Sequence, residues 1–333
     1  MVVGSLHKII LRNRGDKTMF KTAFIFPGQG SQYVGMGKDF YENFDIARQT
    51  FEEANDKLGY DIAKICYEGP EENLMLTENT QPAILTTSIA ILRVLEQEGF
   101  TCDYTAGLSL GEYSALINAG ALEFSETVKL VQNRGMYMQQ VVPKGQGKMG
   151  AIVGLSIESV KEIIDFASEQ GIIEIANYNT HEQLVLSGEK NAIKKALKKA
   201  KELGARKALP LPVSAPFHCR MLKPAGELLK KDLDKIIFYN SKIPVVNNVD
   251  AKIITNKDDI YTSLIKQVSN SVLWQQSIEL LLKEGVRRFI EIGPGTTLSN
   301  FVKAIASNLE IEVTSESVGD LEGLENMRKL LRN

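Results

Sequence analysis

The sharpest chemical signal in the chain is Gly107-Leu108-Ser109-Leu110-Gly111. A G-x-S-x-G between a strand and a helix is the pattern of a nucleophile elbow. Its glycines permit a tight turn that pushes the serine hydroxyl clear of the backbone. The helix N-terminus behind it offers unpaired N–H groups to a developing oxyanion. A purely structural glycine turn is the bland alternative, but the flanks supply the required context: 103–109 reads as a short strand and 111–118 as a helix. A serine nucleophile needs a base, and the chain has three histidines, His7, His181 and His218. His7 lies in an atypical leader. His181 sits in the polar run Asn179-Thr180-His181-Glu182, where a solvated loop histidine is expected. His218 follows Val213-Ser214-Ala215-Pro216-Phe217, where the chain returns from one region to another, and such junctions commonly hold sites. Elimination makes His218 the base.

Arg134 is informative for a different reason. On a helix over 126–141, with Ser125 as its cap, Leu130, Val131, Tyr137, Met138 and Val141 fall within about 60° of it, while Gln132, Gln139 and Gln140 lie opposite. An arginine centred on an apolar face is buried, and a buried guanidinium needs a partner. Two readings stand side by side: a structural ion pair with a core Asp or Glu, or a fork awaiting a substrate carboxylate. The loop Gly28-Gln29-Gly30-Ser31-Gln32 lacks the lysine and spacing of a phosphate cradle; its better role is to supply a second oxyanion donor from another strand end. A helix at 190–203 carries six lysines opposite a clean apolar stripe. A solvated face is the default there, and docking of an acidic partner is the alternative.

These residues must be held by a framework, and the periodicity supplies one. Residues 22–26 form a continuous apolar run ending in Pro27-Gly28, which reads as a buried strand. Helical periodicity follows at 40–58 and 81–98. Residues 149–211 have their own rhythm: strand 149–154, helix 157–167, strands 172–176 and 183–186, helix 190–203, strand 207–211. That β-α-β-β-α-β order is ferredoxin-like. Strand 244–249, helix 271–283, strand 288–292 and helix 296–307 then resume the larger pattern. Strands alternating with helices imply a mainly parallel sheet covered on both faces. The expected organisation is a large α/β subdomain, 19–145 and 213–333, with a small subdomain at 146–212. Residues 1–18 are basic and patternless, and we expect Met19 to be the biological start: Arg14-Gly15-Asp16 back-translates to a purine-rich, ribosome-binding-like run just upstream.

Composition narrows the function class. The chain has 333 residues, with 39 basic and 41 acidic side chains for a net charge of −2, so nothing global points to nucleic acid. No apolar run approaches the roughly 20 residues of a membrane helix, and the mildly apolar start lacks a cleavage site. Three cysteines, Cys66, Cys102 and Cys219, form neither a disulfide framework nor a metal spacing, which suits a reducing compartment.

From Met19 onward the chain resembles the bacterial malonyl-CoA:acyl-carrier-protein transacylases, within the acyltransferases of fatty-acid and polyketide synthesis. The matching segments are FPGQGSQ (26–32), GLSLGEYSAL (107–116), QNRGM (132–136), APFH (215–218), KQVSNSVLW (266–274) and EIGPG (291–295). The resemblance implies an α/β-hydrolase-like core with a ferredoxin-like insertion. It implies Ser109 as the acylated nucleophile, His218 as its base, and the amides of Gln29 and Leu110 as the oxyanion hole. Arg134 would hold the malonyl carboxylate. Gln267 would help position the site, with a nearby main-chain carbonyl orienting His218. Phe217 precedes His218, as in related polyketide acyltransferases that select malonyl over methylmalonyl. The family usually has histidine before the nucleophile, where this chain has Leu108. The implied substrates are malonyl-CoA and acyl carrier protein, with no metal or other cofactor, in a cytoplasmic monomer. The rivals are a serine thioesterase or esterase, which typically carries an acid between the serine and the histidine, and a scaffold with a vestigial site.

Overall fold

The computed structural model describes residues 20–332 except 144 and 214; the expected leader, 1–18, and His7 lie outside them. In chain order the elements are β1 (Lys21–Phe26), α1 (Lys38–Asn43), α2 (Asp45–Leu58), α3 (Ile62–Glu68), α4 (Glu71–Leu74), α5 (Thr77–Gln97), β2 (Tyr104–Gly107), α6 (Gly111–Asn118), α7 (Phe124–Gln140) and β3 (Gly147–Val153). Then come α8 (Ile157–Ala167), β4 (Ile173–Thr180), β5 (Gln183–Glu189), α9 (Lys190–Glu202), β6 (Lys207–Pro210), α10 (Lys223–Leu233), β7 (Val245–Val246) and β8 (Ile253–Ile254). The chain closes with α11 (Lys257–Gln267), α12 (Trp274–Lys283), β9 (Val286–Ile292), α13 (Thr297–Asn308), β10 (Thr314–Val318) and α14 (Leu321–Arg332).

These strands form two sheets. The larger has the order β10-β9-β1-β2-β7-β8, parallel except for the β7–β8 pair. The central strand β1 is buried on both faces because each face of a parallel sheet carries helices. Phe24 and Phe26 enter one apolar core with α2, α5 and α7, while Ala23 and Ile25 enter a second with α12 and α13. The smaller sheet has the antiparallel order β4-β5-β3-β6. One face packs on α8 and α9 around Ile152, Ile163, Leu186 and Ile193.

The smaller sheet is pinned, where the site lies, to the segment that leads into α12. Val272 donates its amide to Ala176 O at 2.8 Å and accepts from Tyr178 N at 3.0 Å, and Ser271 Oγ reaches Ile175 O at 2.6 Å. This bridge shortens one expected helix: α12 starts at Trp274, not 271, because 271–272 run alongside β4. Three further expectations need correction. The helix over 40–58 is two, broken at Phe44, which is extended at φ −132°. Ser125 is no cap: α7 begins at Phe124 after an extended Glu123, which places Ser125 in its first turn. The strand at 244–249 keeps only Val245–Val246, because Asn247 turns its side chain onto Lys252 N and Ser263 Oγ.

Candidate active site

The elbow forms because β2 and α6 meet with almost no room between them. A Cβ on Gly107 would stand 1.9 Å from Gly111 C, and one on Gly111 would stand 2.0 Å from Phe26 O. Only glycine fits either place. Ser109 between them has φ 54°, the left-handed region that L-residues enter at a cost. Asn248, just past β7, clamps this turn: its Oδ1 accepts from Ser109 N at 2.6 Å, and its Nδ2 donates to Gly107 O at 2.7 Å.

His218, also at positive φ (59°), is 4% exposed. Its Nε2 lies 2.7 Å from Ser109 Oγ and its Nδ1 lies 2.9 Å from the main-chain oxygen of Gln267. A carbonyl only accepts, so Nδ1 carries the proton and Nε2 presents its lone pair to the serine hydroxyl. Burial first, and then the Arg134 charge, push the imidazole down to about 4. It is therefore neutral at neutral pH, the state a base requires.

Arg134 projects from α7 into the same cluster and is 1% exposed. Nη1 donates to Gln81 Oε1 at 2.8 Å; Nη2 donates to Gln267 Oε1 at 2.9 Å and to Ser109 Oγ at 3.1 Å. Nε has no partner, and the guanidinium lies 5.5 Å from the Tyr113 ring centroid. Among the described residues no carboxylate lies within ion-pair distance of it, so of the two sequence readings the structural ion pair with a core Asp or Glu is not what is seen: neutral carboxamides hold the fork beside the nucleophile. Burial lowers its pKa from the ordinary value, opposed by Tyr113 and Glu112.

These groups open into a cavity of about 270 Å³ that also reaches Gln29, Leu108, Leu110, Phe217, Leu298 and Phe301. Among the described residues neither the Gln29 nor the Leu110 amide is given a hydrogen-bond acceptor by the fold. The smaller sheet faces the cavity with Met149, Ala151, Asn177, Asn179, Gln183 and Val185. Glu291, from β9, accepts from the amides of Leu298 and Ser299 and so fixes the start of α13 along the rim. His181 is elsewhere: it lies in the turn expected for it between β4 and β5, half-buried rather than fully solvated, with its Nε2 3.2 Å from Glu279 Oε1 on α12.

The chain matches the acyl transferase domain model over residues 23–330. It belongs to the acyl transferase family. It is 46% identical over 299 residues to a malonyl CoA-acyl carrier protein transacylase of Bacillus subtilis, covering 90% of this chain and 94% of the relative. The structure of a malonyl CoA-acyl carrier protein transacylase from Clostridium perfringens superposes with TM-score 0.89 at 47% identity, covering 94% of this chain and 97% of the other. A second similar structure, at TM-score 0.88 and 41% identity over 91% of this chain and 97% of that one, is a malonyl-transacylase in complex with its type II PKS acyl-carrier protein.

In this acyl transferase the structure gathers every site residue expected from sequence into one cluster or its cavity. It also brings in residues that sequence reasoning missed. Gln81 comes from α5, Asn248 from beyond β7, and Glu112 from the first turn of α6. Glu112 is fully buried; its Oε2 accepts from Gln267 Nε2 at 2.7 Å and Asn248 N at 3.1 Å. A glutamate on the helix of a nucleophile elbow, inside an otherwise apolar run, was the available signal.

Proposed function

We propose that this acyl transferase moves a malonyl group from malonyl-CoA to the phosphopantetheine thiol of acyl carrier protein through a malonyl-Ser109 intermediate. The observation that carries this reading is the Arg134 fork: a buried guanidinium without a bonded carboxylate, 3.1 Å from the nucleophilic oxygen. A free acyl carboxylate is the group that such a fork pairs with. The similarity to enzymes named malonyl CoA-acyl carrier protein transacylase supports the same substrates.

In this mechanism His218 Nε2 takes the Ser109 proton as Oγ attacks the thioester carbonyl. The amides of Gln29 and Leu110 hold the tetrahedral oxyanion, and the coenzyme A thiolate leaves with the proton returned by His218. The carrier thiol then attacks malonyl-Ser109 by the same steps in reverse order. Every step moves a proton or an acyl group between these residues and the two thiols, so we assign no metal or redox cofactor a part. Gln267 orients the base through its carbonyl and the fork through its side chain. Phe217 occupies the space an α-methyl would need, and Leu108 makes the near wall apolar. All groups come from one chain, which supports a functional monomer, and three free cysteines suit the cytoplasm.

The fold supports this reading in its finer form. The elbow at the C-terminal end of a parallel strand supports an α/β-hydrolase-like core over 19–145 and 213–333. The strand order β4-β5-β3-β6 supports a ferredoxin-like insertion over 146–212. A thioesterase would orient its histidine with a carboxylate, where His218 faces a main-chain oxygen. Intact mass after incubation with malonyl-CoA, followed by addition of carrier protein, tests the reading. A malonyl adduct on Ser109 that passes to the carrier is expected. Loss of the adduct to water would show a hydrolase, and no adduct a scaffold; either would overturn it.

A further inference from the structure

Arg134 and Glu112 are joined by a single carboxamide. Gln267 accepts from Arg134 Nη2 through Oε1 and donates through Nε2 to Glu112 Oε2 and to Ser109 O. The Glu112 acceptor therefore decides which way this carboxamide faces, and so that an oxygen meets the guanidinium. The other carboxyl oxygen, Oε1, is buried with no partner. Among the described residues, the charged or titratable groups around Glu112 are Arg134 from α7, Tyr113 beside it on α6, and His218, which meets the main-chain oxygen of Gln267; α11 and the 247–248 segment present only neutral Gln267, Ser263 and Asn248.

The arithmetic of charge in this dry cluster is simple. With no substrate, one guanidinium and one carboxylate sum to zero. A docked substrate carboxylate adds a second anion to the same cation, and a net buried charge is costly. Neutrality returns if Glu112 binds a proton at Oε1, which leaves both hydrogen bonds to Oε2 intact. We propose that Glu112 is the exchangeable counter-charge of the Arg134 fork: a carboxylate while the fork is empty, and the acceptor of one proton from solvent when a substrate carboxylate docks. This rests on the reading that Arg134 binds that carboxylate. Burial of Glu112, only partly opposed by its hydrogen bonds and by Arg134, already pushes its carboxyl up to about 7, within reach of such a change. A second anion on the fork raises it further. Glu112 is thus a positioning and charge-balancing residue that makes docking of an anionic acyl group depend on one proton, without touching that group.

The test uses the Ser109→Ala protein, which binds without reacting, and calorimetric titration at about pH 8 in two buffers of different ionisation heat. Malonyl-CoA is expected to bind with uptake of nearly one proton and to weaken by close to tenfold per pH unit above about pH 7; acetyl-CoA is expected to take up none. Adding Glu112→Gln should abolish the uptake and flatten the pH dependence while malonyl-CoA still binds. Adding His218→Ala in place of it should leave the uptake unchanged, an arm that stands even if the Glu112 variant does not fold. Malonyl-CoA that binds through Arg134 with no proton uptake, or with uptake lost only with His218, overturns the proposal and leaves the function intact. Malonyl-CoA binding that Arg134→Ala does not weaken overturns both.

Discussion

The two walls of the cavity are built on opposite principles. The wall from the larger sheet holds Ser109, His218, Arg134 and Gln267, and each is fixed by two or more hydrogen bonds from residues distant in sequence. The wall from the smaller sheet presents Met149, Ala151 and Val185 with Asn177, Asn179 and Gln183 among them, and the buried Asn179 Oδ1 has no partner. One wall is wired and the other is shaped. Chemistry needs its groups aimed before the substrate arrives, because reorganisation during the reaction adds to the barrier. A surface that only bounds the reacting groups needs volume and polarity, and tolerates looser bonding.

Substitutions can break that contrast. On the wired wall, Ser109→Ala should abolish adduct formation, and His218→Ala should lower transfer by about 10⁴-fold or more, the two together costing little more than either alone because they act as one unit. Steady-state transfer rates of the single and double variants check this. Arg134→Ala should lower kcat/KM for malonyl-CoA by about 10²–10³-fold, the scale of a lost charge-assisted pair, while an uncharged acyl-CoA changes far less. Equal losses for both would remove the carboxylate role. At saturating malonyl-CoA the acylation rate should hold from neutrality down to about pH 5 and then fall as His218, with its pKa pushed down to about 4, takes up a proton. A rate already halved near pH 6.5 would contradict the buried, neutral imidazole.

On the shaped wall, Met149→Ala should lower stability by about 2–5 kcal/mol, as buried methionines do, yet leave turnover of folded enzyme within about tenfold. A loss comparable to that of His218→Ala would erase the distinction between the walls. The smallest effect belongs outside the cavity. Lys194→Ala or Lys198→Ala on α9 should change stability by less than about 0.5 kcal/mol, as measured by denaturant unfolding.

The same contrast explains what the sequence disclosed. The elbow was legible because its glycines are dictated by a local turn, and Arg134 because a cation among Leu130, Val131 and Met138 breaks a helical stripe. His218 was legible because few alternatives exist. Glu112, Asn248 and Gln81 were not, since their roles depend on contacts such as Ser109 N to Asn248 Oδ1, between residues 139 positions apart. The short edge strand β8, two residues long, leaves too little pattern to read, and a small side chain near a helix start, Ser125, misled because the helix begins two residues earlier than expected, at Phe124.

The bridge at Val272 has a consequence for anyone reshaping this pocket. The segment 267–272 carries the acceptor of His218 at one end and the pairing with β4 at the other. Pocket width and base alignment are therefore not independent variables. Widening the pocket by displacing the smaller sheet would drag on the backbone that aims the imidazole. Trimming a side chain in place, Phe217 or Met149, would enlarge the volume and leave that alignment alone. A redesign for bulkier acyl groups has one direction that spares the aim of the base and one that disturbs it, and the fold has already decided which is which.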